Sequence, residues 1–292
     1  MNVNNTLQKQ NTVTLVDYLS KDKIKNQISA VVGKNEVQRF ITSIISATNV
    51  NPELKDCTKQ SILAAALLGE TLKLSPSPQL GQYYMIPFWV KNQKKAQFVL
   101  GYKGYLQLAI RTGFYKKINV IAIKQGELIF YDPLEESIEV NLISDFEERE
   151  NAETIGYYAY IEYINGFRKS LYWSKSKMLE HAKRYSTAFN RDIQNGTKYS
   201  FWSSEFDAMA YKTMLRQILS KWGNLNYDMQ QAFESDMAII EEDGSKTYVD
   251  NFVNMQEKDN NIEQKTENNI VENKTEEQIK QSPNSAFDAL FN

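Results

Sequence analysis

Two aromatic-rich runs on either side of one Asn-Gly pair limit the fold of this chain more than any other stretch. Residues 155–164 read IGYYAYIEYI and residues 167–173 read FRKSLYW, with Asn165-Gly166 between them. Asn-Gly is the preferred pair for the type I′ turn of a β-hairpin, and a two-residue loop forces the register. That register predicts three cross-strand pairs, which are Tyr158 with Trp173, Tyr160 with Leu171, and Glu162 with Lys169. An aromatic pair and an opposite-charge pair both favour an antiparallel hairpin here.

Helical periodicity surrounds this hairpin on both sides. Apolar residues recur at helical spacing from Val37, and a mostly apolar helix is predicted to begin near Thr58. Further helices are predicted at about 101–112, 174–184, 204–222 and 227–237. A second hairpin is predicted from residues 82–90 and 96–100 around the loop 91–95. Hairpins and helices in this mixture predict an α+β fold, in which antiparallel sheet packs against helices in a single core domain.

The composition changes at both ends of this expected core of residues 31–240. Residues 1–30 are expected to form a flexible N-terminal arm, since the first twenty are polar, Asn-rich and weakly periodic. Residues 241–292 are rich in Asn, Gln, Glu and Lys. They hold too few apolar side chains to offset the entropy of ordering, so an acidic, largely disordered tail is expected.

Charge is strongly segregated along the chain, although the net charge is only −2. Residues 71–126 hold nine Lys or Arg, no Asp or Glu, and nine aromatic rings. A second basic block, residues 165–227, has a net charge of +7, and residues 127–164 between the two carry −10. Cations among flat rings suit a phosphate backbone with unpaired bases. We predict that the two basic blocks line one nucleic-acid groove; solvated lysines around a tyrosine-rich core are the alternative.

Two predicted helices and one loop carry the cations of this groove. On the helix 101–112, Lys103, Gln107 and Arg111 lie four residues apart and share one face. On the helix 204–222, a polar stripe is predicted apart from the buried face; the stripe is Lys212, Arg216 and Ser220, and the buried face is Ala208, Tyr211, Leu215, Ile218 and Trp222. The loop of the first hairpin is a basic tip made of Lys91, Lys94 and Lys95, which either reaches phosphate or is a solvated turn.

The chain offers little for bond-making chemistry. One cysteine, Cys57, excludes a disulfide framework within the chain and a multi-cysteine metal site. One histidine, His181, cannot build a His-based metal site and is expected at the surface. No phosphate-binding loop of the Walker type is present, so no use of ATP is expected.

An acidic cluster leaves one enzymatic alternative open. Its members are Glu127, Asp132, Glu135, Glu136 and Glu139, whose carboxylates suit Mg²⁺. A Mg²⁺-dependent nuclease that uses Glu127, Asp132 and Glu135 is therefore an alternative, although a solvated acidic loop is the simpler interpretation. Another alternative is an assembly protein that does not bind DNA and whose basic and acidic blocks pair head to tail between copies.

The sequence also bears on the compartment. No apolar run is long enough to span a bilayer, and the N-terminal residues lack a basic-then-apolar signal pattern. The single cysteine fits a reducing compartment. A soluble protein of the cytoplasm is expected.

Two long segments resemble the RecT family of phage single-strand DNA annealing proteins. The first comprises LLGETLKLSPSPQLGQYYMIPF at 67–88 and AQFVLGYKGYLQLAIRTG at 96–113, and the second is FWSSEFDAMAYKTMLRQILSKW at 201–222. Both are long, in order and well separated, and the resemblance covers roughly residues 30–240. The proline that usually follows the Lys-Trp pair in that family is absent, and Gly223 stands there.

The resemblance implies a recombinase that works without ATP or another cofactor, coats single-stranded DNA and pairs complementary strands, with Mg²⁺ at most a modulator of DNA binding. It implies a homo-oligomeric ring or filament in a bacterial host, with the annealed duplex intermediate in a basic groove. It also implies a partner exonuclease and makes a host single-strand binding protein a candidate partner. Carried over by motif, the groove residues are Tyr102, Lys103, Gln107, Arg111, Lys198, Trp202, Lys212 and Arg216.

Overall fold

A computed structural model of the chain describes residues 13–90, 92–241 and 244–248. Its helices are α1 (Leu15–Ser20), α2 (Asp22–Val32), α3 (Val37–Val50), α4 (Lys59–Thr71), α5 (Tyr102–Arg111), α6 (Phe146–Asn151), α7 (Lys175–Tyr185), α8 (Thr187–Asn195), α9 (Phe201–Ser204), α10 (Phe206–Trp222) and α11 (Tyr227–Ser235). Short 3₁₀ turns at Lys34–Glu36 and Pro52–Asp56 flank α3. No helix in these described ranges is long and apolar enough to cross a membrane.

The strands form two antiparallel sheets and a separate ribbon. They are β1 (Tyr83–Val90), β2 (Gln93–Leu100), β3 (Tyr115–Lys124), β4 (Leu128–Asp132), β5 (Ser137–Val140), β6 (Thr154–Tyr163), β7 (Arg168–Ser174), β8 (Ala238–Ile240) and β9 (Lys246–Tyr248). One sheet has the order β1-β2-β8-β9, the other has the order β3-β6-β7, and β4 pairs with β5. The predicted α+β fold with antiparallel sheet is confirmed.

Two buried helices join the sheets to the core. The helix α4 packs on β2, and the helix α10 packs on β6 and on α5. The strand β6 gives alternate side chains to the core, as the two-residue period of a strand requires, and buries Tyr157, Ala159 and Ile161. The long helix α10 therefore lies between the second sheet and α5, the helix of the first basic block.

The hairpin of β6 and β7 is confirmed, but its predicted register is wrong by one residue. Tyr157 lies opposite Trp173, and Glu162 lies opposite Arg168. The loop has three residues, because Tyr163 N donates to Phe167 O and closes it. Gly166 takes the left-handed conformation at φ 89°. A three-residue loop of this kind is a common alternative to the type I′ turn, and it moves every cross-strand partner by one.

The chain before residue 31 departs from the expected flexible arm. Residues 15–32 form α1 and α2, and both helices contribute to the core, since Leu19 and Ile28 are fully buried. Thr14 caps α1 with a reciprocal hydrogen-bond pair to Asp17. Residues 1–12 of the predicted arm lie outside the described residues. At the other end, β9 pairs with β8 beyond the expected core boundary, and the rest of the predicted tail lies outside the described residues.

A glycine inside α4 provides a test of the packing between helix and sheet. A Cβ at Gly69 would lie 2.3 Å from Cζ of Tyr83, a buried ring that stacks on Phe98. Gly→Ala inside a helix ordinarily stabilises by about 1 kcal/mol. Gly69→Ala should instead destabilise the protein by roughly 1–3 kcal/mol in urea unfolding, because the core must absorb an overlap. The penalty should shrink in a Tyr83→Leu background; an equal penalty in both backgrounds would contradict the proposed clash.

Candidate nucleic-acid interface

A close approach of two backbone segments sets the position of Lys103 at the start of α5. A Cβ on Gly101 would stand 2.1 Å from the carbonyl oxygen of Gly81, so only glycine fits there. On Gly81, a Cβ would meet the hydroxyl of Tyr84 at 3.1 Å and Cδ of Lys103 at 3.4 Å. The exposed Lys103 and the half-buried Tyr84 therefore both lie close to Gly81 at this end of α5.

The exposed face of α5 agrees with the sequence, but one of its cations is already engaged. Lys103, Gln107 and Arg111 are all exposed. The guanidinium of Arg111 donates to the carbonyl oxygens of Leu72 at 2.6 Å and Lys73 at 2.5 Å. Those carbonyls follow the end of α4, where backbone oxygens lack helical partners. Arg111 therefore links α5 to α4, and Lys103 is the cation of this face that lies near Tyr84.

Tyr102, predicted to stack on a base, is only partly open to solvent. It is half-buried, and its ring meets the ring of Tyr211 edge-on at 6.3 Å. This contact is part of the packing of α5 against α10.

Exposed rings lie at Tyr199, in the loop before α9, and at Phe201, the first residue of α9, which is next to the half-buried Tyr84 of β1. Phe201 is 47% exposed, and its ring centroid is 6.3 Å from that of Tyr84. Tyr199 is 91% exposed, and Lys198 beside it is also exposed. Sequence reasoning missed Tyr199 and Phe201, because aromatic residues in a sequence do not show which rings the fold leaves uncovered. It also missed the half-buried Tyr84 beside them.

A buried carboxylate holds this loop in one conformation. Asp192 accepts hydrogen bonds from Thr197 Oγ1 at 2.5 Å, Tyr199 N at 3.1 Å, Ser200 N at 2.7 Å and Ser203 Oγ at 2.6 Å. Hydrogen bonds from Ser203 and Thr197 hold the pKa of this carboxyl well below its ordinary value. Tyr199 is thus an exposed ring on a fixed backbone, which lowers the entropy lost when it binds a ligand.

A second buried carboxylate joins the two basic helices. Asp236 accepts from Leu100 N at 2.8 Å, Tyr105 Oη at 2.8 Å, Lys212 Nζ at 3.0 Å and Arg216 Nη1 at 3.1 Å. Arg216 also donates to the hydroxyl of Tyr105 at 2.8 Å. Burial raises the pKa of Asp236, but the nearby Lys212 and Arg216 more than offset this and hold the pKa below its ordinary value. We name these four side chains, Tyr105, Lys212, Arg216 and Asp236, the Asp236 cluster.

The Asp236 cluster changes the interpretation of α10. The predicted open stripe is wrong at Lys212, whose side chain is 7% exposed, and Arg216 is 23% exposed. The predicted apolar face is buried at Leu215 and Ile218 but exposed at Ala208. The helix α10 is buried on more sides than the spacing of its apolar residues indicates. The reason is that the ammonium group of Lys212 pairs with the carboxylate of Asp236 and does not reach solvent.

Trp202 and His181 occupy a shared aromatic cluster inside the protein. Trp202 is 7% exposed, and its ring meets that of Phe206 edge-on at 5.3 Å. His181, expected at the surface, is half-buried with its ring 5.4 Å from Trp173 and 4.5 Å from Tyr185. The ring of Trp202 therefore packs between α9 and the rest of the protein and does not face solvent.

The predicted basic tip of the first hairpin is largely absent. The loop is shorter than expected, so Lys94 and Lys95 lie within β2. Lys94 Nζ contacts a carboxylate oxygen of Asp56 at 3.1 Å, and Lys95 Nζ contacts Glu241 at 2.7 Å. Lys91 lies outside the described residues.

The acidic cluster does not have the geometry of the nuclease alternative. Glu127 is fully buried and accepts from Arg149 Nε at 2.6 Å, from Lys124 N at 2.8 Å and from Ile143 N at 3.2 Å. Asp132 accepts from the backbone of its own turn. Within the described ranges, no three His, Cys, Asp or Glu are grouped so that they could hold a metal ion.

Comparison with known proteins adds to this geometry. The sequence model of the RecT family matches residues 37–250. The uncharacterized protein YqaK of Bacillus subtilis is 40% identical over 255 residues, which is 85% of this chain and 81% of that protein. Protein RecT of Escherichia coli is 25% identical over 227 residues, which is 76% of this chain and 80% of that protein.

The Asp236 cluster predicts a stability effect that differs between its two sides. Asp236→Ala leaves the buried ammonium of Lys212 without its carboxylate and should lower the free energy of unfolding by about 3–5 kcal/mol. Lys212→Met should lower it less, because Tyr105 and Arg216 remain on the carboxylate. Urea unfolding at neutral pH measures both, with the exposed Lys221→Met as the control. Unchanged stability in Lys212→Met would contradict the buried pair.

His181 predicts a loss of stability in mild acid. Burial first, and then Arg184 and Arg216, lower the pKa of its imidazole from 6.5 to about 4. Between these values the unfolded chain binds a proton that the folded protein does not, so stability falls as the pH drops from 6.5 to 4. The full effect is about 3 kcal/mol. His181→Phe should remove this part of the pH dependence in urea unfolding, and an unchanged slope would contradict the prediction.

Proposed function

Because the chain belongs to the RecT family of recombination and annealing proteins, we propose that it binds single-stranded DNA without sequence preference and anneals complementary strands without ATP. The observation that carries the proposal is the surface formed by Lys103, Tyr84, Phe201, Tyr199 and Lys198. It combines two exposed cations with the exposed rings of Tyr199 and Phe201 and the half-buried ring of Tyr84, and Asp192 fixes its loop. We name these five residues the ring-and-lysine surface.

This surface suits an unpaired strand better than a duplex. Lysines neutralise phosphates, and rings stack on any base, since every base has a flat face. Neither contact reads the base edges that pair with a complementary strand. A strand held in this way keeps its bases available for pairing.

Annealing in this proposal needs no bond-making group. Neutralised phosphates lower the repulsion between two approaching strands, and base pairing supplies the free energy. The protein then promotes the encounter of the two strands and their alignment in register. We propose that it is not an enzyme. A Mg²⁺ nuclease has no support from Glu127, whose carboxylate is engaged with Arg149.

The cations of α10 have a different role in this proposal. Lys212 and Arg216 neutralise Asp236 inside the protein, and Tyr105 of α5 joins them there. They keep α5 against α10 and so hold Lys103 and Gln107 at a fixed place on the surface. Arg216 retains partial exposure and is the member of the pair that a strand could still reach.

We propose further that the protein works as a homo-oligomer, a ring or a filament, in the cytoplasm of a bacterial host. An exonuclease that exposes single strands is the expected partner, and a host single-strand binding protein is a second candidate. Mg²⁺ enters only as a modulator of DNA binding.

Salt titrations of binding to a single-stranded oligonucleotide test the surface. Lys103→Ala and Lys198→Ala should each flatten the slope of log affinity against log salt by about 0.7, the value for one lost phosphate contact. Tyr199→Ala should weaken binding by about 1–3 kcal/mol and leave the slope unchanged, whereas Tyr199→Phe should bind normally. Lys25→Ala, an exposed lysine of α2, is the matched control. Normal binding in all three surface variants would remove these residues from the interface.

A gel shift with labelled strands separates annealing from coating. Two complementary strands added in succession should give a more stable complex than either strand alone or the preformed duplex. DNA that stays intact in Mg²⁺ after annealing would dismiss the nuclease alternative. Equal binding to all three substrates would indicate that the protein coats DNA but does not anneal it, which would contradict the proposal.

A further inference from the structure

The β4–β5 ribbon exposes apolar side chains. Ile129 is 59% exposed and Phe130 is 50% exposed, and a register shift between Leu128 and Phe130 places Ile129 in a β-bulge, without a partner on β5. Leu134 in the connecting turn is 85% exposed. Among the described strands, β4 and β5 pair only with each other. A two-stranded ribbon on its own is marginal in water, so this one needs other support.

Contacts at the base and at the turn hold the ribbon in place. At the base, the buried carboxylate of Glu127 accepts hydrogen bonds from the side chain of Arg149 and from the backbone N–H groups of Lys124 and Ile143. At the turn, Lys169 pairs with Glu136, and Ser170 Oγ donates to the carbonyl oxygen of Glu136 at 2.7 Å. The ring of Tyr131 lies 5.0 Å from that of Tyr172 in β7. The exposed apolar residues therefore belong to a docked element, which is what a preorganised binding surface requires.

The charge around the ribbon argues against nucleic acid as its ligand. Residues 127–164 carry a net charge of −10. Glu135 in the turn and Glu139, which lies opposite Phe130, are exposed beside the apolar side chains. Phosphate would be repelled, whereas a protein surface with apolar residues and a basic rim would be complementary.

The same chain carries such a surface at the end of its second sheet. Phe114 is 49% exposed, Ile164 is 70% exposed and Phe167 is 45% exposed. Ile164 N donates to Phe114 O at 3.0 Å, which fixes two of the three side chains next to each other. The side chains of Lys116 and Arg168 are 65% and 67% exposed. We name these five residues the basic apolar patch.

The charge of the basic apolar patch is positive even after its internal pairing. Lys116 Nζ lies 2.8 Å and Arg168 Nη2 lies 3.7 Å from the same carboxylate oxygen of Glu162. Two cations thus share one carboxylate, and both remain largely exposed. They can take a second carboxylate from outside without losing the first.

We propose that the β4–β5 ribbon of one copy of this chain docks on the basic apolar patch of a second copy. Phe130 and Leu134 then cover Phe114, Ile164 and Phe167, and Glu135 and Glu139 lie against Lys116 and Arg168. The two surfaces in this contact are different. A bound pair therefore still has one free ribbon and one free basic apolar patch, and the contact can repeat from copy to copy. The inference rests on the homo-oligomer of the proposed function and identifies the surfaces that form it.

Sedimentation velocity of the full chain without DNA tests the contact. Leu134→Ser and Phe130→Ser should each weaken self-association about tenfold or more, as loss of a central apolar anchor does. Val50→Ser, a residue that is 61% exposed on α3, is the matched control and should assemble normally. Thermal melts check that each variant folds, and Leu134→Ser is the decisive one because its side chain is almost fully exposed.

Charge reversal then tests which surfaces meet. Glu135→Lys with Glu139→Lys should weaken assembly, and so should Lys116→Glu with Arg168→Glu. A mixture of the two variants should recover association, since the reversed ribbon again faces an opposite charge. Failure of the mixture to associate, normal assembly of Leu134→Ser, or a monomeric natural protein would each overturn the proposal.

Binding of a short oligonucleotide that one copy can hold keeps this test apart from the proposed function. The ribbon variants should bind it as the unaltered protein does, because the ring-and-lysine surface is intact. Weak oligonucleotide binding in the unaltered protein would count against the proposed function and not against the ribbon contact.

Discussion

The buried carboxylate of Asp236 is the interaction on which the arrangement of both basic helices depends. It is shared by Lys212 and Arg216 of α10 and by Tyr105 of α5. A buried charge is tolerated only when it is paired and hydrogen-bonded, and here every partner comes from a different turn or element. The cluster therefore couples the segment that follows α11 to the two helices of the basic blocks. The place of Lys103 on the surface follows from that coupling.

The cations of the chain divide into two groups with different physical roles. Lys212, Arg111 and Lys95 have partners inside the protein or at helix and strand ends, where they hold elements together. Lys103, near the half-buried Tyr84, and Lys198, beside the exposed Tyr199, are both exposed, so ligand phosphate can reach them. The acidic residues divide in the same way, since Glu127 is buried with Arg149 whereas Glu135 is exposed. Net charge along a sequence describes both groups together and cannot separate them.

Local sequence patterns predicted the helices and strands of this fold well. They predicted poorly which parts of the chain pack against each helix or strand. The β6–β7 hairpin follows from its alternation and its Asn-Gly pair. Its register depends on whether Asn165 and Gly166 both take positive φ, as in a type I′ turn, or Gly166 alone does, as here. Helical signals begin near Asp22, where α2 starts, but residues 1–30 as a whole were expected to form a flexible arm, because a polar surface helix with few apolar residues looks like a mobile segment. Leu19 and Ile28 were enough to bury α1 and α2.

The sequence by itself determined the α+β class, the two basic blocks, and the family to which its two long segments belong. These depend on period, composition and order along the chain, which need no knowledge of distant contacts. Only the tertiary structure decided that Lys212 and Trp202 lie inside, that Tyr84 and Phe201 lie near Lys103, and that Tyr199 is left uncovered. Burial is a property of what packs against a residue from elsewhere in the chain. The spacing of residues along one helix cannot show where a carboxylate such as Asp236 will come to lie.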